Sequence, residues 1–383
     1  MKKSSLYIIV LVTSGILTIL SLILHFSSLQ DRLTAFERLE DIVYLHKVSD
    51  AFSHRSLTSQ TVSLVSELTS LRLGKAFVLV NFGFLLLSGC LIGLVGSIFN
   101  NTRRAIVLNI TLYFLTFSIF FIFFSPIYSY DEPIQYTFIL LSFIALMNNR
   151  LFIFSLFFTI AMITRETSVV LLPGFYYLYS AYKRDNSLYQ PSLIIALIVP
   201  VVAYVGFIGL FFSFDTNLKI IERFGLLKYN FQDFQFSIES VISFVLVIGL
   251  SLYLYLRLRT LKMNRVEGAF KKAFFITLVI NSILVFGMAY AREARLFALP
   301  LFFAWPILTN LLLSESFEWK IGFDFRSGVF LTLVLGAGVI AYYSAIHYYD
   351  PVIGSGAGGY FHLYFSFLIG FVIFDLLFKK VKV

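Results

Sequence analysis

Apolar stretches about as long as a bilayer core is thick recur along this chain, from Leu6 to Phe378, with only short polar breaks between them. A hydrocarbon core of about 30 Å needs about 20 apolar residues per helix, and a backbone inside it finds no water to bond with, so each stretch must satisfy its own N–H and C=O groups as a helix. Hydrophobic residues make up 59% of 383 positions, only 13% are charged and the mean hydropathy is +0.87. Those values exclude a water-soluble globule with a polar surface. The expected fold is therefore all-α, a polytopic transmembrane bundle of about twelve spans in a single domain covering 1–383.

The spans fall near 6–26, 76–98, 105–128, 134–149, 150–163, 168–182, 192–213, 238–256, 273–290, 296–313, 329–347 and 361–378. The first follows Lys2 and Lys3 as a signal peptide does, but its apolar run is long and no small-residue cleavage site follows, so it reads as an uncleaved span. With a cytoplasmic N-terminus, the basic breaks at Arg103-Arg104, Arg150, Lys183-Arg184, Arg257 to Lys272 and Lys379-Lys380-Lys382 all fall inside. Both termini are then cytoplasmic, in what is taken as a bacterial inner membrane. The net charge of +9 is spread between spans rather than gathered into one patch, so membrane lipid is expected as a partner and nucleic acid is not. Cys90, the one cysteine, excludes an intrachain disulfide.

Two features depart from a plain bundle. The spans at 134–149 and 150–163 have only about 14 to 16 residues, short for the bilayer, which suits helices shielded by protein or facing a water-filled cavity. The first outer loop, Ser27 to Lys75, places Leu33, Phe36, Leu39 and Val43, and later Val62, Val65, Leu68 and Leu71, at helical spacing among charged residues. That pattern predicts interfacial amphipathic helices.

Three charged clusters share the expected outer side, each flush against a span: Tyr130-Asp131-Glu132-Pro133, Thr164-Arg165-Glu166-Thr167 and Arg292-Glu293-Ala294-Arg295. A charge at membrane depth costs on the order of 2.5 to 3.5 kcal/mol, so such residues pair or work. For Asp131 and Glu132 the plain alternative is capping of the helix that Pro133 begins. For Arg165 and Glu166 it is an interface marker with Thr164 as cap, and for Arg292, Glu293 and Arg295 it is a loop ion network. Against that stands a site in which arginines hold a phosphate, since guanidinium groups match phosphate oxygens in a bidentate way. In the first loop Asp31, Glu40 and Asp41 are candidate bases, or else the solvated face of an interfacial helix. The run Gly354 to Gly359 satisfies G-x-G-x-x-G in letters, but no strand precedes it, so it reads as a loop. The five histidines lack zinc-ligand spacing, so a zinc site has no support in the sequence and no metal or cofactor is assigned from it.

This layout resembles the C-type (GT-C) membrane glycosyltransferases, in which one span is followed by a long outer loop of two interfacial helices and then, after the third span, by a short acidic outer loop. The likeness runs from the first span through Tyr130-Asp131-Glu132-Pro133 and Thr164-Arg165-Glu166-Thr167 to Pro173, about residues 1–182, with 183–383 as further helices and Arg292 to Arg295 like a later outer motif. Many members carry an acidic pair directly after the first span; here Asp31 stands alone and Glu40-Asp41 comes later.

The resemblance implies transfer of a sugar from a polyprenyl-phosphate carrier to a cell-envelope acceptor on the outer face, with inversion. The base would be Asp41, Glu40, Asp31, Asp131 or Glu132, and the lipid phosphate would be held by Arg165, Glu166, Arg292, Glu293 and Arg295. The alternatives are a transporter or flippase for a lipid-linked or anionic solute, and a non-catalytic membrane component of polysaccharide assembly.

Overall fold

A computed structural model of the chain describes residues 3–27, 32–49, 53–120, 130–183, 191–212, 220–257, 263–309 and 359–378, with isolated positions at 313, 328–329, 332 and 336. Asp31, most of the expected span at 329–347 and most of the glycine-rich run lie outside the described residues.

Among the described residues the architecture is all-helical. The helices are α1 (Lys3–Ser27), α2 (Arg32–Val48), α3 (Ser56–Thr69), α4 (Leu73–Ile98), α5 (Arg103–Leu115), the short α6 (Phe117–Phe120), α7 (Glu132–Met147), α8 (Leu151–Thr164), α9 (Leu172–Tyr182), α10 (Pro191–Phe211), α11 (Ile220–Asn230), α12 (Phe234–Arg257), α13 (Arg265–Met288) and α14 (Gly359–Phe378). Five of them, α1, α4, α10, α12 and α13, are long and apolar enough to cross a membrane. The chain is an integral membrane protein.

Two of these helices carry long apolar faces left uncovered by the described residues. Helix α1 exposes Ile8, Leu11, Ile16, Ile19 and Ile23, and α10 exposes Ile195, Ile198, Val202, Val205 and Phe211. Such a continuous apolar face is expensive in water and costs nothing against acyl chains. Helix α7 is the opposite case: 13 of its 16 residues are buried, Glu132 and Gln135 among them. It packs on α4 and α8, at the centre of an aromatic core where Phe143 meets Phe175 at 5.4 Å and Phe303 at 6.3 Å between ring centroids. The shortness of α7 is that of a helix wrapped in protein.

The first loop forms two helices, as its spacing predicts. The buried side of α2 is Leu39, Ile42, Val43 and His46, one face of a helical turn pattern, and it lies against α4. The two approach so closely that a Cβ at Gly74 would collide with the Phe36 carbonyl. In α3, Thr58, Ser59 and Val62 point inward while Leu64 and Leu68 are exposed.

Three expected spans are not single α-helices; the one at 168–182 opens with the 3-10 turn Glu166–Leu171 ahead of α9. The stretch at 105–128 breaks at Thr116, between α5 and α6. The stretch from 296 runs as 3-10 turns, Ala294–Phe297 and Leu299–Phe303, because Pro300 and Pro306 lack the N–H that would continue an α-helix. Phe297 to Thr309 are buried, and the carbonyls this backbone leaves over find side-chain donors. Asn101 and Asn109 donate to the Pro306 carbonyl at 2.6 and 2.8 Å, Tyr255 to Phe303 at 2.6 Å and Asn281 to Leu296 at 3.0 Å. Irregular backbone is stable at this depth only when protein supplies those bonds.

Candidate functional site

The site begins with a hairpin. Helices α7 and α8 have 16 and 14 residues, about 24 and 21 Å at ~1.5 Å per residue, and a turn at 148–150 joins them with Asn149 in the left-handed region (φ 60°). Antiparallel helices of nearly equal length return the chain to its starting end, so Glu132 opens α7 beside Arg165, which closes α8. The Arg165 guanidinium donates to Glu132 Oε1, and both side chains are buried. The loop after α13 brings Arg295 to the same oxygen, Nε to Oε1 at 3.3 Å, and Arg295 also pairs with Glu293 at 3.0 Å.

The first loop closes the other flank. Arg55, just ahead of α3, makes a two-pronged pair with Glu166, its Nε donating to Oε2 at 2.9 Å, and His54 Nε2 lies 3.7 Å from the same oxygen. Burial alone would raise the Glu166 carboxyl, but the Arg55 guanidinium with its hydrogen bonds, and the nearby His54, outweigh it and hold the group well below the usual carboxylate range. Beneath the arginines, Gln135 Nε2 donates to Ser168 Oγ at 2.9 Å and Ser168 Oγ donates to the Arg165 carbonyl at 2.9 Å, which ties α7 to the turn after α8.

Asp131 sits inside this ring of charge, fully buried, with His46, Arg55, Glu132 and Arg165 as its electrostatic neighbours. Burial pushes its carboxyl up and the Glu132 charge adds to that, against the pull of His46, Arg55 and Arg165; the net direction is upward. It stands at the N-cap of α7 yet makes no side-chain capping bond, and Thr164 bonds back to the Ile160 carbonyl at 2.8 Å rather than capping the next helical turn. The capping alternatives for these two residues are not used by the fold. Next to Asp131, Tyr130 stacks against His46 (4.4 Å between centroids) and shares a hydrogen bond with Ser59 at 2.9 Å.

The remaining candidates lie elsewhere. Arg292 is buried in a separate pocket: Nη1 donates to Glu239 at 2.9 Å, Nη2 to the Tyr229 hydroxyl at 2.7 Å, and the guanidinium carbon lies 3.9 Å from the Phe236 ring centre. Glu40 receives the Gly74 N–H at 3.4 Å and lies 3.8 Å from Arg72 Nε, at the start of α4. Asp41 is exposed. The acids gathered around Arg55, Arg165 and Arg295 are thus Asp131, Glu132, Glu166 and Glu293.

Sequence reasoning missed His46, His54, Arg55 and Glu239. Arg55 carried a usable signal, a cation in the middle of the loop expected on the outer side, where positive charge is disfavoured; Glu239 carried none, lying near the start of an apolar helix. Comparison of the chain with family models, curated proteins and solved structures finds no match. What the fold and site define is a class: a helical integral membrane protein with a buried carboxylate–guanidinium cluster at one end of its bundle.

Proposed function

We propose that the chain is a membrane glycosyltransferase that moves a sugar from a polyprenyl-phosphate carrier to an acceptor hydroxyl on the outer face, with both termini cytoplasmic. The observation that carries this reading is Asp131, a fully buried carboxylate set beside Arg165 and Arg55, with no side-chain capping bond and with its carboxyl raised by burial. A base works best when its pKa lies near the operating pH, and raising a carboxylate by burial is the way to bring it there.

In the proposed step Asp131 takes the proton of the acceptor hydroxyl, and that oxygen forms a bond to the anomeric carbon. The bond from that carbon to the phosphate oxygen breaks, and the lipid phosphate leaves with the electron pair, so the anomeric centre inverts. Arg165 and Arg295 stabilise the charge where it develops. Arg292 has no part in this, since Glu239 and Tyr229 hold it elsewhere. The experiment is donor consumption by purified protein across a panel of polyprenyl-phosphate sugars. The expected result is turnover that Asp131→Asn lowers by about 10²–10⁴-fold, the usual loss for a general base, with the folded state retained; no consumption of any donor, or an unaffected Asp131→Asn, overturns it.

One observation favours a second reading, a transporter of lipid-linked or anionic solutes: the buried, non-α backbone from Ala294 to Phe303 resembles the discontinuous helices that line transport sites. Movement of an intact lipid-linked sugar between leaflets, with no loss of sugar, is the outcome that selects it.

A further inference from the structure

We infer that Glu132 is a resident occupant of the anion site: its carboxylate holds Arg165 and Arg295 in the resting protein and gives them up when a phosphomonoester of a lipid binds. This rests on the reading that a lipid phosphate meets this cluster.

The geometry at the carboxylate carries the inference. One oxygen of Glu132, Oε1, takes both guanidiniums. The other, Oε2, is buried and has no hydrogen bond to another described residue, and Arg165 Nε is likewise without a partner among the described residues. A buried carboxylate placed for structure alone uses both oxygens, because each one left bare costs about 1–3 kcal/mol of desolvation. The same protein shows the alternative: Glu239 spends Oε2 on Arg292 and receives Gln235 Nε2 on Oε1 at 3.0 Å.

Arg165 meets one carboxylate oxygen through a terminal nitrogen, which among the described residues leaves unused the paired N–H geometry that makes guanidinium–anion contacts strong. A phosphate monoester presents three outer oxygens where the carboxylate presents one, so it can take the paired N–H groups of Arg165 and still meet Arg295. It would reach them along the rim formed by Glu166 and Glu293, the two partly exposed acids of the cluster. Glu132 thereby neutralises the arginines without a ligand and sets how strong an anion must be to displace it; a carboxylate or sulfate-ester monoanion competes poorly, a phosphate-ester dianion well.

The test is binding of farnesyl phosphate, with inorganic phosphate as a second arm, to detergent-purified parent, Glu132→Gln and Glu132→Asp. Removing the competing charge is expected to tighten farnesyl phosphate binding by about tenfold in Glu132→Gln, the scale of one charge-assisted contact. In Glu132→Asp, which keeps the charge but withdraws it by one methylene, the expected gain is severalfold. A gain for inorganic phosphate alone assigns the site to the free ion and overturns the lipid part of the inference. Unchanged or weaker binding in a folded Glu132 variant overturns it outright, as does failure of both variants to fold, which would make Glu132 a purely structural partner. The readout is independent of turnover: tighter binding without sugar transfer sinks the transferase reading and keeps this one, and transfer without tighter binding does the reverse.

Discussion

Arg292 and Arg295 stand three residues apart in one motif, yet the fold sends them into opposite environments. Arg292 points into the seam between α11, α12 and the loop after α13, where its two terminal nitrogens are bonded, its face is covered by the Phe236 ring, and its partner Glu239 has both oxygens engaged. Arg295 turns to the end of the central hairpin, where it shares one oxygen of Glu132 with Arg165 among further charges. The first is an ion pair whose carboxylate is saturated; in the second, one oxygen of Glu132 has no hydrogen bond to another described residue. Burial is the same in both, and the difference lies in whether the bonding positions of the carboxylate are used.

That contrast can be broken most forcefully at Glu239. Glu239→Ala leaves the Arg292 charge buried without its carboxylate, for which about 3–5 kcal/mol of lost stability is expected, read as a lowered thermal midpoint in detergent whether or not a lipid phosphate is present. A smaller effect belongs to Tyr229→Phe, which removes the hydroxyl at 2.7 Å from Arg292 but keeps a ring beneath the guanidinium. A bond to a charged group is worth about 1.5–3 kcal/mol, and chemical denaturation against the parent measures it. If Arg292 instead serves ligand binding, both changes lower phosphate affinity and spare stability.

The charged cluster is sharpened by pH. The Glu166 carboxyl is held low by Arg55 and His54, so the stability it contributes is fully present above its unfolded value of about 4.3 and is lost as pH falls through its folded value. Asp131 has the opposite sign: its folded carboxyl is raised, so its contribution weakens as pH rises through that raised value. Thermal scans in acid are expected to show a falling limb that flattens in Glu166→Gln. The smallest effect belongs to Asp41→Asn, on an exposed position outside both regions: within about 0.5 kcal/mol in stability and less than about twofold in turnover. A large loss of turnover there would move the base from Asp131 to the first loop.

The helical class, the membrane setting and the two helices of the first loop were legible in the sequence, because each rests on composition or on a period that side chains repeat many times. The gathering of Glu132, Arg165 and Arg295 was half legible: flush charges at span ends announce that something pairs, and an even number of spans between two clusters puts them at one end. Which acid goes with which arginine was not legible. Arg292 and Arg295 lie in one short run, each preceded by an alanine, and only the turn of the backbone through Ala294–Phe297 separates them. The break of the expected span at Pro300 and Pro306 was foreshadowed by the prolines, but its survival required Asn101, Asn109, Tyr255 and Asn281 from elsewhere in the bundle.

By itself, then, the sequence determined a lipid-embedded bundle of helices, since apolar runs of bilayer length have no other way to satisfy their backbone. The tertiary structure alone decided that α7 is buried all round, that Asp131 lies amid guanidiniums while Glu40 and Asp41 do not, and that one arginine of a motif is sealed while its neighbour shares a carboxylate. Hydrophobicity is additive along a chain and can be read from it. The pairing of buried charges depends on ångström-scale approach between residues 33 to 163 positions apart, and that is set only when the helices pack.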